Sequence, residues 1–159
     1  RPLRSLLRLD DARFVRRGDM VAKVQAYCRE TGQPVPRTTG QIARCILESL
    51  ALLYRLELDA LERLTGRTLS TLHIVGGGSR NALLNQATAD ATGRRVVAGP
   101  VEATAAGNLL VQAATMGEIR GLAGIRSVVR ASFPVTTLEP RPSPSWTEAL
   151  RRLRKLPRA

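Results

Sequence analysis

The residues with the greatest chemical potential lie in one run, His73–Asn85, which reads HIVGGGSRNALLN. Three consecutive glycines, Gly76, Gly77 and Gly78, stand between an apolar run and a helix-forming segment. With no Cβ in the way, a ligand can come close to the backbone of such a turn. A helix that begins just after it offers unpaired N–H groups and a partial positive charge, which suits a nucleotide or a phosphate. Asn81 adds an amide that donates and accepts, the complement of a purine edge or a ribose hydroxyl. The plainer reading of the same residues is a tight turn whose glycines let strand and helix approach each other. No G-x-x-x-x-G-K-S/T run occurs, so this is not a Walker P-loop, and GGG-S-R-N is not G-x-G-x-x-G. Glu102 falls near the end of the next strand-like run, where a dinucleotide fold places an acid for the ribose. A stand-alone nucleotide- or dinucleotide-binding module therefore stays open as an alternative.

The other reactive side chains read as structural. His73 lies inside the apolar run and is expected to be a packed or edge-strand residue. Asp90 sits near a helix C-terminus, where the macrodipole opposes an anion, so a pairing with Arg94 or Arg95, or a backbone bond, is expected. Cys28 and Cys45 have no metal-site spacing and the single His73 cannot complete a Cys/His set, so no metal site is expected. Both cysteines fall on expected helices, would be neighbours if those helices pack, and read as buried free thiols. Gly107, inside an expected helix, is taken to permit close backbone packing. No catalytic residue is assigned within the chain.

These residues need elements to hold them. Asp19 can cap a helix carrying Met20, Val21, Val24, Tyr27 and Cys28, which ends at Gly32. Thr38 with Gln41 three residues on has the capping-box arrangement. It starts a helix of about 26 residues with an apolar stripe from Ile42 to Leu64, closed by Thr65-Gly66. A strand is expected over Thr71–Val75, then a helix over Asn81–Thr92 with Leu83, Leu84, Ala87 and Ala91 inward and Gly93 at its end. A second strand, Arg95–Ala98, is followed by a helix over Ala103–Met116, with Leu109, Leu110 and Ala113 on its apolar side. A shorter helix near Ile125–Ser132, an irregular Pro-rich link over 134–144, and an amphipathic helix over Trp146–Leu156 complete the pattern. The fold class is helix-rich α/β with at least one right-handed parallel crossover. Two short strands are too few for a sheet, and residue 1 is Arg, so the chain is expected to be one lobe truncated at its N-terminal side.

The chain has 159 residues, 43% of them hydrophobic and 3% aromatic, so a core of Leu, Val, Ile and Ala is within reach. The net charge is +12. It gathers at the ends: +4 over residues 1–17 and +5 over 141–159, leaving +3 for the body. Arg supplies 23 of the 25 cations and aromatics number five, a poor recipe for a nucleic-acid stripe. No nucleic acid and no membrane is expected as partner, and the basic ends are expected to be solvated. Without a secretory signal in view, two cysteines fit a cytoplasmic location.

The run VGGGSRNALLNQATADATGRRVVAGPVEATAAGNLLVQA resembles the C-terminal domain of the FGGY family of carbohydrate kinases. GDMVAKVQAYCRETGQPVP, the helix IARCILESLALLYR and the tail SFPVTTLEPRP followed by Trp146 resemble the same family. Within it the likeness is strongest to the kinases that phosphorylate L-rhamnulose. The resemblance covers roughly residues 18–150. It implies part of an actin-like, ribonuclease-H-like ATPase fold, with ATP and sugar held between two lobes. It further implies ATP and Mg2+ as cofactors and L-rhamnulose or a similar ketose as substrate, bound only together with an N-terminal lobe that carries the catalytic Asp. Gly77 matches the family's nucleotide-contacting glycine, with Gly76, Gly78 and Asn81 as neighbours. The expected division is a linker remnant over 1–17, the nucleotide-binding C-terminal domain over 18–133, and the Pro-rich link and terminal helix over 134–159.

Overall fold

A computed structural model describes residues 2–141 and 143–157. Arg1, Pro142, Arg158 and Ala159, counted above in the basic ends and the Pro-rich link, lie outside the described residues. The helices are α1 (Ala12–Val15), α2 (Met20–Glu30), α3 (Thr39–Thr65), α4 (Ala82–Thr92), α5 (Ala103–Thr115), α6 (Gly121–Ser132) and α7 (Pro144–Lys155). The strands are β1 (Thr71–Ile74), β2 (Arg95–Ala98) and β3 (Thr136–Leu138).

Local chemistry sets most boundaries. The Asp19 carboxylate accepts from the Ala22 N–H at 3.0 Å and opens α2. Thr38 and Gln41 form the reciprocal capping box at the start of α3. That helix ends on Gly66, and α4 ends on Gly93, both in the left-handed conformation. Helix α6 begins at Gly121, one turn earlier than expected. Gly124 sits inside the helix, and the lack of a side chain there lets Ile119 pack closely: a Cβ on it would meet Ile119 Cγ2 at 2.8 Å. Ser143 caps α7, and Pro144 fills its first turn, where no N–H is needed.

The sheet has the order β1-β2-β3. Strands β1 and β2 are parallel, with Thr71 opposite Arg95 and Ile74 opposite Ala98, and α4 is the crossover between them. Strand β3 runs antiparallel to β2, with Val96 opposite Leu138. The irregular link expected over 134–144 therefore contains a strand. Its three residues lie between Pro134 and Pro140, which cannot donate to a ladder and hide so short a run. Among the described residues β1 has no neighbour on its outer side.

Helix α3 is the spine. It packs along α4, and its inner face shares a core with the N-terminal segment and α7: Leu3, Leu6, Ala51, Leu52, Ala87, Ala91, Ala149 and Leu153. A second cluster joins Leu7 to α2 and the first turns of α3 through Val24, Tyr27, Cys28, Ile42 and Cys45. Cys28 and Cys45 are thus free, buried neighbours. A hydrogen bond between the two thiols, followed by burial, pushes Cys45 up, and the same hydrogen bond holds Cys28 below its usual range.

The N-terminal segment is only partly solvated. Its irregular backbone is satisfied by side chains: Leu3 N–H donates to Glu48 Oε2 at 2.7 Å and Leu7 N–H to Ser49 Oγ at 2.9 Å. Gln33 pairs with both the N–H and the carbonyl of Leu6 at 2.8 Å. Arg8 is buried against Asp10, whereas Arg16 and Arg17 are exposed. Several expected inward residues face out instead, among them Leu83, Leu109 and Leu64. Helical spacing gives a stripe but not the side that a neighbour covers.

Candidate nucleotide-binding turn

Strand β1 leads through Val75 into Gly76, whose φ of +76° an L side chain rarely adopts. The Gly76 N–H donates to Pro100 O at 3.0 Å, and the Gly99 N–H donates to Ile74 O at 2.8 Å. The turns that leave β1 and β2 are therefore joined side by side at the carboxyl ends of the two parallel strands. In open α/β sheets that end is where ligands bind.

Gly77–Arg80 form one 3-10 turn. The Ser79 N–H and hydroxyl both donate to Gly76 O, at 3.0 and 2.7 Å, and the Asn81 N–H donates to Gly78 O at 3.1 Å. Gly77 and Gly78 are exposed. A Cβ on Gly77 would meet nothing within 4 Å, and one on Gly78 only Ile74 Cγ2 at 4.0 Å. No bulky side chain fills the space above them, so the glycines leave an open cradle in front of the α4 N-terminus.

Asn81 lies in this cradle, half-buried, but half its amide is already used. Its Oδ1 accepts from the Leu84 N–H at 3.0 Å and caps α4, so the part of the amide not used by the cap is the Nδ2 donor. Glu102 stands at the N-cap position of α5, exposed and without a cap hydrogen bond. It is two residues beyond Pro100, which holds Gly76, so it neighbours the turn.

One residue of the site escaped the sequence reading. Asn85 is fully buried beneath the turn, and its Nδ2 donates to Ser79 O at 2.8 Å. Its Oδ1 has no partner among the described residues. The available signal was an amide among the small and apolar inward positions of α4.

The remaining candidates take structural places. His73 is an exposed residue of edge strand β1, opposite Val97. Asp90 is ion-paired as expected but with a different partner: Arg141 Nη2 lies 2.9 Å from Oδ2, and the Arg141 N–H lies 2.8 Å from Oδ1. Arg94 instead pairs with Glu62 at 2.6 Å, and Arg95 with Glu139 at 2.6 Å. The Arg94 guanidinium, followed by the Leu69 N–H, holds the Glu62 carboxyl below its usual range. A Cβ on Gly107 would meet nothing within 4 Å, so close backbone packing is not its role.

Among the described residues no group of three or more His, Cys, Asp or Glu side chains is gathered to hold a metal ion. The residues around the turn do not build a magnesium site of their own. Cavities of about 390 and 850 Å³ lie elsewhere, around Arg4, Ser5 and Cys45 and around Pro2 and Arg152. The glycine turn is an open surface, a shape that suits one wall of a cleft.

Fold and site together define a helix-rich α/β lobe with an outward glycine turn at its strand ends. The chain belongs to the FGGY family of carbohydrate kinases: residues 10–116 match that family's C-terminal domain. It is 52% identical over 148 residues to a rhamnulokinase of Bacteroides thetaiotaomicron, covering 93% of this chain and 30% of that protein. Against a rhamnulokinase of Bacillus subtilis the identity is 44% over 140 residues, covering 88% of this chain and 29% of the relative. The chain thus spans about a third or less of the length of these curated relatives. Among solved structures, the xylulose kinase of Rhodospirillum rubrum superposes with a TM-score of 0.60 at 25% identity, over 79% of this chain and 26% of that one. Among the described residues no helix is long and apolar enough to cross a membrane.

Proposed function

We propose that this chain supplies the adenosine-contacting wall of a sugar kinase resembling rhamnulokinase, which converts ATP and L-rhamnulose to ADP and L-rhamnulose 1-phosphate. Gly76, Gly77 and Gly78 bring the backbone close to the nucleotide, and the Asn81 Nδ2 donates to it. Mg2+ arrives on the ATP phosphates. Phosphoryl transfer of this kind rests on positioning and on electrostatic stabilisation of the transferred group. The carboxylate that accepts the sugar proton is assigned to a part of the kinase outside this chain. Asp90 is occupied by Arg141, and Glu102 is solvated, so neither is a poised base. A cytoplasmic location, with no nucleic acid or membrane as partner, belongs to the same reading.

The observation that carries it is the exposed Gly77-Gly78 pair, with open space above it, at the carboxyl ends of β1 and β2. The 52% identity to a rhamnulokinase supports the choice of sugar. Two measurements test it. A coupled assay with ATP and L-rhamnulose should show no turnover by the 159-residue chain alone, and robust turnover would refute the division of labour. Titration calorimetry should detect Mg-ATP binding that Gly77→Val abolishes. Because the valine would project into open space, the far-UV helical signal should stay intact. A valine variant that binds as wild type does would remove Gly77 from the site.

A further inference from the structure

We infer that Asn85 is a positioning residue for the glycine turn: its buried amide fixes the Ser79 carbonyl and so presets the exposed Gly77 and Gly78 peptides for the nucleotide. The inference rests on the nucleotide reading above and adds to it a residue that touches no ligand.

Asn85 lies one turn into α4, four residues after the cap Asn81. Helical side chains lean back toward the N-terminus, which puts this amide under the turn. Its orientation follows from chemistry. Nδ2 faces Ser79 O at 2.8 Å, and a flipped amide would set oxygen against oxygen. The other half of the amide has no partner among the described residues, although the residue is only 2% exposed. A buried acceptor with no donor is unfavourable, and an apolar side chain of similar size would suit this interior better. The asparagine is therefore explained by what it holds rather than by packing.

What it holds has few other ties, and those are within the turn or to Pro100. Gly76 is tied to Pro100 O, and the Ser79 N–H and hydroxyl are tied to Gly76 O. Between those ties lie two glycines with no side chains to restrict them. The Asn81 N–H holds the Gly78 carbonyl at 3.1 Å, and the Ser79 carbonyl is a further handle on the turn's floor, which Asn85 grips at 2.8 Å. A turn released from that grip would have to be ordered by the nucleotide, at a cost in affinity.

The test compares the wild-type 159-residue chain with Asn85→Leu and Asn85→Ala, using Mg-ATP calorimetry, amide hydrogen exchange and thermal melting. Asn85→Leu removes the donor and the orphaned acceptor together. We expect a melting temperature unchanged or raised, exchange at Gly77–Asn81 faster by about tenfold, unaltered exchange in the middle of α3, and Mg-ATP binding weaker by about tenfold. Asn85→Ala should show the same local exchange and binding loss with a lower melting temperature. Wild type binding Mg-ATP with Asn85→Leu binding equally well overturns the inference. So does wild-type exchange in the turn of either variant, or a binding loss in Asn85→Leu matched by general unfolding. A wild-type chain that binds no Mg-ATP refutes the nucleotide reading instead, and exchange in the turn still reports whether Asn85 holds it.

Discussion

At the scale of single residues, Glu62 shows how a surface carboxylate senses pH. It accepts from Arg94 Nη2 at 2.6 Å and from the Leu69 N–H at 2.7 Å, tying the end of α3 to the loop before β1 and to the start of β2. Both partners favour the ionised form, so the folded chain releases this proton at lower pH than the unfolded chain does. The stabilisation is complete above the ordinary carboxyl value of 4.5 and is lost as pH falls through the lower folded value. Melting curves of wild type and Glu62→Gln should therefore differ at neutral pH and converge in acid; a gap independent of pH would refute the assignment. Two glycines give opposite expectations. A Cβ at Gly99, where φ is +119°, would come within 2.8 Å of Pro134 O, so Gly99→Ala should destabilise by about 1–3 kcal/mol. Gly107 has open space around it inside α5, so Gly107→Ala should stabilise by about 0.5–1 kcal/mol in urea unfolding. Composition could not distinguish these glycines, because what decides is the neighbour across space. The same limit explains the site: Gly76, Gly77, Gly78 and Asn81 announce themselves by type and spacing, while Asn85 matters through a contact with a backbone carbonyl.

At the scale of elements, legibility followed local chemistry. The cap of α3, its glycine stop, the crossover helix α4 and both parallel strands could be read because each is encoded by neighbours in sequence. Strand β3 could not, since three residues between prolines form a strand only when β2 offers an edge. The burial of α4 and α5 was misread at Leu83 and Leu109 for a related reason. Each helix has apolar residues over a wide arc, and which part is covered depends on where α3 and the sheet lie. The capping box gives the sharpest test at this scale. The Thr38 hydroxyl accepts from the Gln41 N–H at 3.3 Å, while Gln41 Oε1 accepts from the Arg37 N–H at 2.8 Å and the Thr38 N–H at 3.5 Å. Thr38→Ala should lower the free energy of unfolding by about 1 kcal/mol, with Thr39→Ala near neutral as its control. Equal effects of the two substitutions in urea unfolding would show that the cap contributes nothing beyond helix propensity.

At the scale of the molecule, the open question is where the domain begins. Sequence alone reads residues 1–17 as a basic connection, since Arg breaks up any helical period there. The family match starts at residue 10. Yet Leu3, Leu6 and Leu7 are buried in the two core clusters, and they bridge α2, α3 and α7. Fully burying one such leucine is worth roughly 2 kcal/mol, so three together are worth about 6 kcal/mol, within the roughly 5–15 kcal/mol that typically separates a folded domain from its unfolded chain. Removing the segment would also strand polar groups that now serve it. Glu48 is buried and accepts from the Leu3 N–H and from Arg44, and Arg152 donates to the carbonyls of Leu3 and Arg4 at 2.9 and 3.0 Å. A buried carboxylate left with one partner is costly. A chain shortened to begin at Gly18 should therefore lose its cooperative thermal transition and bind a hydrophobic dye, while one beginning at Pro2 should melt as wild type does. If the shortened chain keeps a sharp transition within a few degrees of wild type, residues 1–17 are a connection after all. Loss of the transition would instead make this irregular segment part of the lobe that carries the glycine turn, because α3, the spine behind α4, is buried on the side it covers.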